Sequence, residues 1–286
     1  MSRIIKLALL AIAVYFCVLL VTTGTVGDIF NSLLPGGAPL GYVNVLLLGV
    51  DDASASTQRT DTMIIATITN AGDIRLTSIM RDMLVSVEGH GARKINSAYA
   101  YGGADLAVKT VNDNFDMNIS RWAVVDFSDF AALIDEIGGV RLAITRAEMD
   151  EMNKKNGHQL ATYGEDVLLD GVQALRYVRI RKIDSDYQRT NRQRRLLTSV
   201  FNSIREIKDP IRLISIANSA RKYVSTNVPT VSIAINAIRA LAGTGQISQL
   251  RIPAEGTYES GMLDGVWSIR ADLAQNAKIM KEFIYG

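Results

Sequence analysis

Cysteine is almost absent from this 286-residue chain, and the one copy, Cys17, lies inside an apolar run. No intramolecular disulfide can form, so stability must come from an ordinary core. Histidine is nearly as scarce: His90 and His158 fall in separate stretches with no metal-ligand spacing. A zinc centre and a Ser–His–Asp hydrolase therefore lack sequence support. Also missing are a P-loop, a glycine-rich dinucleotide fingerprint, a G-x-S-x-G elbow, internal repeats and low-complexity tracts. Charge is nearly balanced, 31 Lys+Arg against 29 Asp+Glu for a formal net charge of +2. Any basic site must come from local placement.

Hydrophobic residues make up 48% of the chain, and part of that is one segment, residues 7–27, which carries no charge. Roughly 20 residues at about 1.5 Å rise span about 30 Å, one hydrocarbon core. Arg3 and Lys6 precede the segment and the next basic residue is Arg59. By the positive-inside rule residues 1–6 are cytoplasmic, 7–27 form a transmembrane signal anchor, and the remainder lies outside the cell membrane. The rival reading is a cleaved signal peptide, for which the run is long and Thr22-Thr23-Gly24-Thr25 a weak cleavage site. Residues 28–40, with Pro35-Gly36-Gly37, read as a linker, leaving 41–286 as one extracytoplasmic domain.

Strands and helices alternate along that domain. Residues 43–50 are an apolar run suited to a buried central strand, followed by a polar loop through residue 60. Residues 62–69 and 74–79 read as strands joined by a turn at 70–73. A short helix or turn is expected over 94–103, a helix to 115, a strand over 122–126, and an amphipathic helix over 127–137 stopped by Gly138-Gly139. A strand follows at 140–144, then a helix capped by Thr145 through 156, a polar loop over 158–166, and a helix over 171–177 capped by Asp170. Further helices are expected at 191–207, 211–220, 231–241 and 271–283, with a strand at 249–252. The pattern predicts a single α/β domain, its central, mostly mixed sheet covered by helices on both faces.

The basic residues concentrate in 173–195, which holds Arg176, Arg179, Arg181, Lys182, Arg189, Arg192, Arg194 and Arg195. A guanidinium grips two phosphate oxygens at once and never deprotonates, so the stretch reads as a pyrophosphate clamp. In Arg179-Ile180-Arg181 alternate residues of an extended segment point one way, and Arg189 and Arg192 share a face if helical. Arg194 and Arg195 read as a solvated basic face. Asp51 and Asp61, with Asp52 adjacent, stand at neighbouring strand ends and could share a divalent cation, Mg2+ with Mn2+ as an alternative. They could equally make Asx turns. Arg81-Asp82 follows the third strand, and Lys94 and Asn96 are further polar contacts near it. Nucleic-acid binding is the other reading of an arginine run with Tyr177 and Tyr187 in it; an anchored, extracytoplasmic domain disfavours it.

The series LLGVDD, RTDTMIIATI, SIMRDMLV, KINSAYAYGG, FSDFAALIDEIGGV and LDGVQALRYVRIRKIDSDYQRTNRQRRL, in that order behind one N-terminal anchor, closely resembles the LytR-CpsA-Psr family of cell-wall proteins. The match runs from Val43 through the arginine stretch and is weaker beyond it. It implies a phosphotransferase that moves a glycopolymer from a polyprenyl-pyrophosphate carrier onto a peptidoglycan acceptor, releasing polyprenyl phosphate. Asp51 and Asp61 match the family's magnesium carboxylates, and Arg81 the arginine after its third strand. Arg179, Arg181 and Arg189 match its pyrophosphate-gripping arginines, Asp186 the acid just before the last of them, and Lys94 a polar position beside the head group. Thr60 stands where Ser is usual and Met80 where Pro is common; neither removes a ligand. Asp61, Asp186 or no residue takes the acceptor's proton. The polyprenyl tail needs an apolar slot, for which 127–137 and 231–241 are candidates, although such stretches are more often plain core. A polyprenyl-pyrophosphate phosphatase and a non-enzymatic, membrane-tethered regulator remain the rival readings.

Overall fold

Leu46, Leu47, Leu48 and Val50 crowd one short stretch, so both faces of any strand it forms must be covered. In the computed structural model that strand, β1 (Val43–Val50), lies inside a six-stranded sheet. The structure describes residues 42–50, 60–155, 157–160, 162–181, 183, 186–207, 209–229, 244–263 and 265–286. Along the chain β1 is followed by β2 (Thr60–Ile68), β3 (Ile74–Ile79), β4 (Leu84–Val87), β5 (Gly91–Lys94), α1 (Ser97–Phe115), β6 (Arg121–Asp126) and α2 (Phe127–Ile137). Next come β7 (Val140–Ile144), α3 (Arg146–Met152), β8 (Gly164–Leu169), α4 (Gly171–Val178), α5 (Asp186–Glu206) and α6 (Pro210–Tyr223). The described chain closes with β9 (Val224–Thr226), β10 (Ile247–Ile252), β11 (Tyr258–Leu263), β12 (Val266–Ala271) and α7 (Leu273–Tyr285).

The sheet order is β10-β3-β2-β1-β6-β9. β1 pairs antiparallel with β2 and parallel with β6, and β10 is parallel to β3, so the sheet is mixed as expected. Side-chain alternation sends Leu46, Leu48 and Val50 to one face, where they meet Val108, Val111 and Phe115 of α1 and Ala277, Met280 and Ile284 of α7. The opposite face presents Ile64, Ile74 and Leu76 to Leu197 and Phe201 of α5. A separate cluster joins Ile134 and Ile137 of α2 to Val140 and Leu142 of β7, Leu169 of β8 and Tyr177 of α4. Helices thus cover both faces.

Several boundaries differ from expectation. β4 and β5 form a hairpin where no strand was expected, its turn containing Gly89 with φ 74°. β7 and β8 also pair, although 158–166 reads as loop: Gly164–Leu169 has few apolar residues to announce a strand. A hairpin of β11 and β12 lies in a stretch without an expected strand. α3 stops at Met152, short of residue 156, because the Asn153 side chain closes the following loop through the Leu160 amide and carbonyl, both at 2.8 Å. α5 begins at Asp186 rather than 191. α1 contains the expected break, with non-helical backbone at Gly102 and Gly103. The expected anchor and linker, the loop over 51–59 and the helix over 231–241 lie outside the described residues. Among the described residues no helix is long and apolar enough to cross a membrane.

α2 and α4 approach so closely that the contact requires a glycine. A Cβ on Gly171 would lie 2.0 Å from the Ala131 carbonyl oxygen, while its amide donates to Asp135 Oδ1 at 2.7 Å. Arg179 is the C-cap of α4, so this contact sets where that arginine is delivered. Gly171→Ala should therefore destabilise by about 1–3 kcal/mol through overpacking. Urea unfolding checks this as a lowered midpoint at unchanged slope.

Candidate active site

Asp61 sits at a fault in the β1/β2 ladder. Gly49 pairs with Thr62 and Val50 with Thr60, leaving Asp61 opposite no residue of β1. Such a β-bulge re-aims the extra side chain. The Asp61 carboxylate, 22% exposed, accepts from two guanidinium groups. Arg81 Nη1 reaches Oδ1, and Arg181 Nη2 reaches Oδ2 at 3.1 Å. Arg81 Nε also contacts Asp82 Oδ2 at 3.3 Å, and Asp82 Oδ1 accepts from Lys94 Nζ at 2.7 Å. Arg81, Lys94, Arg181 and two carboxylates therefore form one chain of ion pairs with a surplus of positive charge, which suits an anionic ligand.

The unexpected hairpin explains how Lys94 arrives there. The Ile95 amide donates to the Met83 carbonyl at 2.8 Å and the Asn96 amide to the Arg81 carbonyl at 3.3 Å, folding β5 back over the turn after β3. From the other side the Ile269 amide of β12 donates to the Asp82 carbonyl at 3.0 Å. Asp82 is a hub that the sequence shows only as a neighbour of Arg81.

Arg179 and Arg181 are exposed while Ile180 between them is 3% exposed, so exposure alternates as expected. Arg179, the C-cap of α4, nevertheless has helical backbone (φ −93°, ψ 0°) and not the expected extended one. The Arg179 guanidinium lies 4.7 Å from the centre of the Phe127 ring, within range of a cation–π contact. Phe127 belongs to the wall of an apolar cavity of about 190 Å³. Leu47, Gly49 and Ile64 of the sheet form one side; Phe130 and Leu133 of α2 and Leu197 of α5 form the other. The 127–137 segment thus contributes Phe127, Phe130 and Leu133 to the wall of an apolar cavity. A Cβ on Gly49 would come within 3.0 Å of Thr62 Cβ, so a side chain there would narrow the cavity at its sheet side.

The other arginines are used differently. Arg189 and Arg192 are each 4% exposed, so they do not share the open face with Arg179 and Arg181. Arg192 Nε pairs with Glu148 Oε1 at 2.8 Å, and its Nη1 lies 3.4 Å from the Ile180 carbonyl. Arg176 donates to the Gly157 carbonyl at 2.7 Å and the Lys155 carbonyl at 3.1 Å. Arg195 donates to the Ala143 carbonyl at 2.6 Å. Arg194 Nε donates to Gln249 Oε1 at 3.1 Å, and burial together with the nearby Arg251 guanidinium lowers it to about 10. Arg194 and Arg195 are therefore packed against the fold instead of forming a solvated face. Asp51, Asp52, Lys182, Asp184 and the Asp186 side chain lie outside the described residues. Asp61 offers the hard oxygen that a magnesium ion requires; among the described residues no group of three or more His, Cys, Asp or Glu side chains could hold a metal.

A family model, the LytR_cpsA_psr family, matches residues 36–283. The chain belongs to this family. Among curated relatives, the regulatory protein MsrR of Staphylococcus aureus is 29% identical over 251 residues, 85% of this chain and 75% of that protein. The polyisoprenyl-teichoic acid–peptidoglycan teichoic acid transferase TagU of Oceanobacillus iheyensis is 30% identical over 237 residues, covering 79% of this chain and 70% of TagU. Among solved structures, TagT bound to LIIa-WTA superposes with a TM-score of 0.72 at 25% identity, covering 86% of this chain and 90% of that one. The relatives thus include TagU, named as a transferase, and TagT, seen bound to LIIa-WTA.

Glu148 is the buried residue that sequence reasoning missed. Thr145-x-x-Glu148 is a capping-box signature, and both of its hydrogen bonds form; nothing local announces the partner 44 residues away. Burial alone would raise the Glu148 carboxyl. Hydrogen bonds from Thr145 and Arg192 outweigh it and hold the group below its ordinary 4.5. A lowered folded-state value means that this stability is present above about 4.5 and lost as pH falls through the folded value. Glu148→Ala should cost about 3–5 kcal/mol by stranding Arg192. Thermal unfolding from pH 7 down to 3 should show the wild-type advantage over the variant shrinking at the acid end.

Proposed function

We propose that the protein is a phosphotransferase that moves a glycopolymer from a polyprenyl-pyrophosphate carrier to peptidoglycan, releasing polyprenyl phosphate. The observation that carries this reading is the junction at Phe127, where an apolar cavity meets the exposed guanidinium of Arg179 beside the Arg181–Asp61–Arg81 chain. An apolar slot ending under guanidinium groups matches a greasy tail joined to a pyrophosphate. The activity that TagU is named for, transfer of a polyisoprenyl-linked teichoic acid to peptidoglycan, has the same chemistry.

In the reaction, an acceptor hydroxyl oxygen bonds to the phosphorus joined to the glycopolymer. The bond from that phosphorus to the bridging oxygen breaks, and its electron pair leaves with polyprenyl phosphate. Arg179 and Arg181 hold the pyrophosphate, and Arg81 with Lys94 balances charge on the far side of Asp61. Phosphoryl transfer is dominated by positioning and charge stabilisation, which rigidly paired guanidinium groups provide. Arg192 acts one step removed: buried against Glu148 and beside the Ile180 carbonyl, it positions the Arg179–Arg181 segment. Mg2+ held by Asp51 and Asp61 would supply a Lewis acid that neutralises charge on the leaving phosphate. The acceptor's proton passes to Asp61 or Asp186, or is released late in a loose transition state. Residues 7–27 would anchor the domain beside the membrane in which the carrier resides.

Arg179→Ala and Arg181→Ala should each reduce transfer by at least about 100-fold, the scale of one lost transition-state donor, while thermal unfolding stays close to wild type. Asp61→Ala should abolish transfer at every concentration of added Mg2+. A folded Asp61→Ala protein that attaches polymer normally would overturn the role given to Asp61, whereas a wild type that holds the polymer without attaching it would leave a binder or regulator as the better description. Free phosphorylated polymer as the main product would indicate hydrolysis.

A further inference from the structure

A second recess opens at the carboxyl ends of β1 and β6, on the sheet face opposite the apolar cavity. Strand parity separates most of the two linings: Leu47, Gly49 and Val125 face the cavity and Val50 and Asp126 the recess, while Val224 of the edge strand β9 borders both. Tyr99 from the first turn of α1, Asp129 from α2, and Arg221, Lys222 and Tyr223 from the end of α6 complete a space of about 420 Å³. Val50 pairs with Thr60 on one side and Asp126 on the other. At about 4.8 Å between strands, Asp126 therefore lies roughly 10 Å across the sheet from Thr60, the neighbour of Asp61. One ligand can occupy the recess and reach the Asp61–Arg181 pair.

The lining is chemically mixed in a way that suits a charged saccharide. Asp126 and Asp129 supply acceptors for sugar hydroxyls, and the tyrosines supply rings with polar tips. Burial raises the Tyr99 phenol above its ordinary 10.0, so it stays a donor at neutral pH. Arg221 and Lys222 are exposed at the rim, where carboxylates of a ligand can pair with them. Val50, Val124 and Val224 give the recess an apolar floor, but its two carboxylates and two basic side chains do not suit a polyprenyl chain, which the cavity across the sheet does.

We propose that this recess binds the acceptor, a carboxylate-bearing glycan strand, and presents its hydroxyl to the phosphate site from the sheet face opposite the carrier lipid. The inference rests on the transferase reading above and adds the acceptor's location. Entry from opposite faces keeps the attacking and leaving groups apart, as an in-line displacement requires.

The test uses the full chain in detergent, with a polyprenyl-pyrophosphate-linked saccharide as donor and un-cross-linked peptidoglycan strands as acceptor. Arg221→Ala/Lys222→Ala and, separately, Asp129→Asn should raise the acceptor KM about tenfold with donor KM changed less than about twofold, the size of lost charge-assisted contacts. Amidating the strand's carboxylates should raise the wild-type acceptor KM and leave the Arg221/Lys222 double variant unaffected. Wild-type transfer with an acceptor KM unchanged in both variants would overturn the recess and leave the transferase reading standing. Donor consumed by water with no polymer on the strands, in the wild type, would overturn the transferase reading and the recess with it.

Discussion

One carboxylate, Asp61, joins three segments that the chain keeps far apart. It takes a guanidinium from the turn after β3 and another from the segment after α4, 120 residues downstream. Both oxygens are used, so the carboxylate fixes the relative positions of Arg81 and Arg181. The β-bulge makes this geometry available: in unbroken pairing, side-chain alternation would govern Asp61, and here it falls opposite no residue of β1. In the proposed reaction a pyrophosphate would take over one side of these pairs, exchanging charge for charge.

The arginine run shows how one residue type serves two purposes. Arg179 and Arg181 project outward because Ile180 between them is anchored in the core. Arg176, Arg192 and Arg195 turn inward and donate to backbone carbonyls or to Glu148. A forked, permanently charged donor can hold irregular backbone where helices and strands leave carbonyls unpaired, as Arg176 does around residues 155–157. The inward arginines build a rigid support beneath the two outward ones. A buried pair such as Arg192–Glu148 gives that support its geometry more than its stability.

Much of the scaffold was legible locally. β1, β3, α2 and β7 fall at the expected residues because each has a clear apolar period bounded by turn or capping signals. The small hairpins were not, and the reasons differ. Gly164–Leu169 and Gly91–Lys94 carry too few buried apolar side chains to show alternation. Tyr258–Ala271 had a readable cue in Asp264-Gly265, a typical hairpin dipeptide. α5 starts at Asp186, earlier than the expected residue 191, because its first turns are polar and show no apolar period, although Arg189 within them is buried.

The sequence by itself determined the alternation of elements, the apolar central strand, the concentration of arginines and the family, because these depend on residue type and spacing. Tertiary structure alone decided which arginines face outward, that Asp82 links Arg81 to Lys94, and that Glu148 meets Arg192. It also decided that Phe127 stands between an apolar cavity and Arg179. Each of these is a pairing across many residues, set by sheet register and helix packing. A local pattern can specify which side chains are available for such a pairing, but the partner is chosen only when distant segments are brought to within a few ångströms.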